Sequence, residues 1–258
     1  MCLLPVCCFV VAAFAADAPL DHARYAAALK EFRAQDGRAL AALQSAGKSA
    51  EERRAAIDDV RERLVDEPAG PLTTEVAALL AKVAPAEARL LLAALAEAKA
   101  VGATAQVAAL AGQADSPVRI DAALALAEIG GAKAVPVLAA LAKDEALAEE
   151  VVLVLAKVSG PGVTEAFNAG IRDAKADLPG RYALIKAAVA RNNRAVAAAL
   201  CATLLDEPMR LESQKALLKL ASPADLPALR QAEQAVANAA TKAALGRLIA
   251  KLEKPEGK

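Results

Sequence analysis

Three copies of one short pattern, D-x-P-x-R, recur in this chain at repeat-like spacing. They are Asp115-Ser116-Pro117-Val118-Arg119, Asp177-Leu178-Pro179-Gly180-Arg181 and Asp206-Glu207-Pro208-Met209-Arg210. A degenerate copy begins at Asp144-Glu145-Ala146, so that successive aspartates lie 29, 33 and 29 residues apart. A period of about 30 residues inside an apolar, helix-forming chain points to an all-α protein, an α-solenoid of stacked antiparallel helical hairpins. Such a scaffold favours binding over a catalytic pocket.

Each copy reads as a helix start. Asp or Ser at the N-cap accepts hydrogen bonds from the free N–H groups of the first turn. Proline suits that turn because its missing N–H would have gone unpaired. The arginine is out of place by the same logic, since a cation near a helix N-terminus opposes the helix dipole. Two readings remain. It reaches a carboxylate of the neighbouring repeat, such as the aspartate of the next copy, or it is a solvated side chain beside a cap.

Behind Arg119, the residues Ile120, Ala123, Leu124, Ala127 and Ile129 keep close to helical spacing. Gly130-Gly131 ends that helix. A second apolar helix runs from about Ala134 through Pro136, Leu138 and Leu141 to Lys143. Val151 to Leu155 is β-prone in isolation but falls where the register places a first helix, so a buried helix is expected there. The stretch Asp115 to Asp144 resembles a HEAT repeat, most closely the short HEAT-like repeats of phycobilin lyases. Units from about 144, 177 and 206 are in phase with it, and one more is expected around 72–113. The resemblance covers about two-thirds of the chain. It implies a HEAT-like superhelix and carries no catalytic residue across, because HEAT arrays serve unrelated tasks.

Alanine dominates the sequence; it is the best helix former and lets helices approach closely. Aromatics make up 2% of residues and tryptophan is absent, which leaves little from which to build an aromatic ligand cage. The 31 basic and 31 acidic residues balance, which disfavours nucleic-acid binding. The cations Lys242, Arg247, Lys251, Lys254 and Lys258 read as those of a capping helix near its C-terminus.

Residues 1–16 carry no charged side chain, and Leu3 to Val11 forms a short apolar core. Ala13-Phe14-Ala15 has the small-x-small form of a cleavage site, so a signal peptide and an exported, periplasmic or secreted protein are expected. An uncleaved leader acting as a membrane anchor is the alternative. No later run is long and apolar enough to span a bilayer. Cys201 is the one cysteine beyond the leader and lies in the apolar run Val196 to Leu205, where a buried structural thiol is expected.

Residues 17–71 form an N-terminal helical cap with helices expected near 20–34, 37–46 and 50–65, the last carrying Ile57, Val60 and Leu64. The repeat array occupies 72–254, closed by a helix at about 237–253, and 255–258 is a disordered tail.

Catalytic chemistry has little to work with. The single histidine, His22, excludes a zinc site with more than one imidazole and reads as an exposed residue. Glu51-Glu52, Asp58-Asp59 and Glu149-Glu150 are adjacent in sequence, so each pair diverges on a helix. No phosphate-binding glycine loop and no EF-hand loop occurs. No catalytic residue, cofactor or metal is expected. The expected function is a non-enzymatic, monomeric protein-interaction scaffold whose partner is another protein. Lys133, Arg172, Arg191, Arg194 and Arg230 are the candidate contact residues on its turns and second helices. The alternative is an accessory or chaperone subunit of an enzyme, lyase-like, holding a prosthetic group on the concave face.

Overall fold

A computed structural model describes residues 22–254 apart from Ala46. The expectations for the leader and for residues 255–258 lie outside these. The described chain is all α, its helices joined by short turns and packed by contacts distant in sequence. It divides into two compact units, one ending at Ala103 and the other beginning at Thr104. The boundary expected after residue 71 falls inside the first unit.

The first unit contains α1 (His22–Gln44), α2 (Ala50–Asp66), α3 (Pro71–Leu79) and α4 (Pro85–Glu97). One long helix, α1, replaces the two expected over 20–46. Gly37 costs a helix about 1 kcal/mol relative to alanine but does not break it. Around it Ala39, Leu40 and Leu43 are buried, and Asp36 is held by Arg63 Nη1 of α2 at 3.2 Å. The expected third helix is α2, which buries Ile57, Val60 and Leu64. Its start is a capping box that the sequence reading passed over: the Glu52 N–H donates to Ser49 Oγ and the Ser49 N–H to Glu52 Oε2.

Two forked ion pairs lace α2 to α4. Arg53 donates through Nε and Nη2 to both oxygens of Glu87, and Arg61 does the same to Glu97 at 2.6 and 2.9 Å. The Arg53 guanidinium holds the Glu87 carboxyl below its ordinary range. Hydrogen bonds from Lys48 and from Ser49 bring Glu52 down to about 2. A carboxylate whose folded pKa lies below its unfolded value stabilises above the unfolded value, and that contribution is lost as pH falls through the folded one. Burial raises Asp36 instead, against the pull of Arg63, so its cost is relieved in acid. The depressed groups outnumber the raised one. The thermal midpoint of the first unit should therefore fall between about pH 5 and about pH 2. Glu87→Gln should shrink that fall, as melts followed by circular dichroism would read.

The second unit contains α5 (Thr104–Gly112), α6 (Arg119–Ile129), α7 (Ala134–Leu141), α8 (Ala148–Lys157), α9 (Val163–Arg172), α10 (Leu178–Ala190), α11 (Ala197–Thr203), α12 (Glu207–Leu220), α13 (Leu226–Ala235) and α14 (Ala239–Leu252). Each helix from α5 to α12 packs on the helix two further along the chain. The core between them holds Leu126, Leu138, Leu155, Phe167, Ile171, Ile185 and Leu200, all fully buried. The β-prone run at 151–155 is helical, in α8, with Val151, Val154 and Leu155 buried and Leu153 facing out. Gly180 marks a close approach. A Cβ there would stand 2.9 Å from the Ala139 carbonyl oxygen, so α10 crosses the backbone of α7 where only glycine fits.

The D-x-P-x-R copies mark helix starts in two ways. Asp177 caps α10 itself, accepting from the Gly180 N–H at 2.8 Å, and Asp206 stands at the N-cap of α12. Asp115 and Asp144 instead sit in turns four residues before the first helical residue of α6 and α8. The arginines resolve the dipole objection by reaching the next copy. Arg119 Nη1 donates to Asp144 Oδ2 and Arg181 Nη1 to Asp206 Oδ2, both at 2.7 Å. Their Nε groups donate to Ala111 O (3.2 Å) and Ile171 O (3.0 Å) near the end of the preceding helix. Arg119 thus ties α6 to the end of α5 and to the turn leading into α8, and Arg181 ties α10 to the end of α9 and to the N-cap of α12, each satisfying a carbonyl that a helix end leaves open.

The turns inside the hairpins share a left-handed residue. Gly131 has φ +50° and Asn192 has φ +53°. After Asn192, the Asn193 N–H returns to Ala188 O at 2.8 Å, the six-to-one bond of a Schellman ending. Asparagine takes the place of glycine there because its short polar side chain tolerates that conformation.

Candidate functional site

The five cations singled out in the sequence fall into two groups. Lys133 ends the turn Gly131–Lys133, and that turn packs against α9. The turn Arg194–Val196 also packs against α9, where Asn168 Nδ2 donates to Ala195 O at 3.4 Å. Arg172 closes α9, its Nε donating to Asn168 O at 3.2 Å. Lys133, Arg172 and Arg194 are exposed, and none is paired with a carboxylate of the described residues. The exposed surface around α9 thus carries these three cations, with Glu165 on the same helix and Asp173 directly after it also exposed.

Arg191 belongs beneath that surface. Its Nη1 donates to Val158 O at 2.7 Å, at the end of α8, and its guanidinium lies 5.3 Å from the Phe167 ring centroid. Both contacts hold it in the fold, where it anchors the turn that presents Arg194. Arg230 lies apart, on α13, with Nη2 donating to Glu253 at 2.6 Å.

Two amides lie close to the cations. Asn168 Oδ1 and Asn193 Nδ2 are buried without a hydrogen-bond partner among the described atoms, one an acceptor and one a donor. Unsatisfied buried groups are uncommon. Asn193 sits in the turn beside Arg194, and Asn168 follows Phe167 on α9, places that no sequence motif marks. One signal pointed to Phe167: every other phenylalanine lies at or before residue 32.

Cys201 is buried in α11, and burial, reinforced by Asp225, pushes its thiol up to about 11. A thiol so placed is a poor nucleophile at neutral pH, which fits the structural role expected for it. Among the described residues no three of His, Cys, Asp and Glu gather closely enough to hold a metal ion. No described helix is long and apolar enough to cross a membrane. His22 opens α1, and its side chain is outside the described set. No protein-family model matches this chain, and no curated protein matches it.

Proposed function

We propose that the chain is a HEAT-like α-solenoid that works as a non-enzymatic scaffold, binding an acidic partner protein through the cations around α9. The solenoid reading is supported by the next-but-one packing in the second unit and by Arg119 and Arg181, each of which ties its hairpin to the next. The observation that carries the binding surface is the exposure of Lys133, Arg172 and Arg194 around one helix, none of them ion-paired with a described carboxylate. Charge placed in this way steers association and fixes partner choice. The charge-free apolar leader supports export, which puts the partner outside the cytoplasm.

Cross-linked recovery of the tagged chain from its host's envelope fraction tests this. One protein should be recovered specifically, and lost when Lys133, Arg172 and Arg194 are changed together to glutamate. Arg191 is left in place because it holds the turn. Recovery unchanged by the reversal would remove the surface from consideration. A co-purifying small molecule in place of a protein would favour the prosthetic-group accessory.

A further inference from the structure

The third D-x-P-x-R copy breaks the rule the other two obey. Arg210 stands at the start of α12 as Arg119 and Arg181 stand at the starts of α6 and α10. Yet its guanidinium has no hydrogen bond or ion pair with any described residue. The reason lies in the next first helix. At the N-cap of α14, where α12 has Asp206, the chain has Asn238. The Asn238 amide oxygen accepts from the Thr241 N–H at 3.0 Å, so it caps the helix without supplying a charge.

Arg210 instead lines a recess of about 450 Å³ together with Leu204, Leu205, Val236 and Asn238. Leu205 is 59% exposed and Arg210 is half-buried, so a cation sits among apolar residues with one of them open to solvent. We infer that this recess is a docking site for an acidic residue of a partner protein. The partner's Asp or Glu carboxylate pairs with Arg210, and the apolar residues beside it cover Leu205. The same chain shows what such an arginine takes: Arg181 holds Asp206, which is preceded by Leu204-Leu205 and followed by Glu207-Pro208. A forked guanidinium suits a carboxylate better than any neutral group.

The inference rests on the scaffold reading but uses none of the cations around α9, so the two are tested by different variants and fail separately. The probe is the peptide acetyl-Leu-Leu-Asp-Gln-Pro-Met-amide, this chain's own segment with its glutamate made neutral. It is titrated into the full chain while the Nε–Hε resonance of Arg210 is followed by nuclear magnetic resonance. A saturable shift is expected, absent with the Asn-for-Asp peptide and lost in Asn238→Asp. That variant keeps the cap and supplies the missing carboxylate from within, so its melting temperature should rise. An unmoved resonance, an equal response to the Asn peptide or to sodium acetate at the same concentration, or undiminished binding to Asn238→Asp would each overturn the assignment.

Discussion

Arg181→Met lowers the stability of the second unit by about 3 kcal/mol, the largest single-residue loss expected among the repeat arginines. The side chain is 3% exposed, and its guanidinium serves Ile171 O and Asp206 together. Methionine fills much of the space but leaves a helix-end carbonyl and a carboxylate without their donor. The Asp206 side chain is 30% exposed, so water reaches it and keeps the loss at the lower end for broken buried pairs. Arg119→Met loses the same two kinds of partner, Ala111 O and Asp144, but from a more open pair, 13% and 40% exposed, and should cost about 1–2 kcal/mol. Arg210→Met removes no described hydrogen bond or ion pair and should stay within about 0.5 kcal/mol. Urea melts of the three variants check the order. Equal losses, or a loss at Arg210 as large as at Arg181, would show that the arginines do not act through their partners.

That graded series was half legible in the sequence. The spacing of the aspartates fixed where hairpins begin, and the arginine's unfavourable place on the helix dipole called for a partner elsewhere. The Asp144 and Asp206 contacts supply it. The sequence could not say which copy lacks a partner, because the gap depends on Asn238, which lies outside any repeated motif. Helix α1 misled for a physical reason: Gly37 looks like a break, but burial of Leu40 and Leu43 and the Arg63–Asp36 bond outweigh a local propensity cost. In the sequence the five candidate cations stand out by charge and position alone. Composition cannot separate an arginine that faces solvent from one locked on a carbonyl, and the geometry divides Arg194 from Arg191 on that criterion. The left-handed turn at Asn192 was hidden because asparagine does there what glycine does at Gly131.

Phe167→Ala should cost about 3–5 kcal/mol, more than any of the arginine variants. The ring is fully buried on α9, in a unit whose core is otherwise built mainly from alanine, leucine, valine and isoleucine. Small neighbours on several helices cannot move together to close so large a gap, so most of the cavity persists and its cost adds to the lost transfer free energy. A second loss follows from Arg191, whose guanidinium lies 5.3 Å from the ring centroid while Nη1 holds Val158 O. Without the ring, that cation loses its π-face contact and the freedom of the turn carrying Asn193 and Arg194 rises. Phe167→Leu separates the two effects. It refills much of the cavity but restores no π-face, so it should recover most of the stability and leave amide exchange in residues 191–196 elevated. If Phe167→Leu restored exchange protection as fully as it restored stability, the Arg191 contact would carry no part of the turn's order. The cationic surface around α9 would then owe its geometry to packing alone.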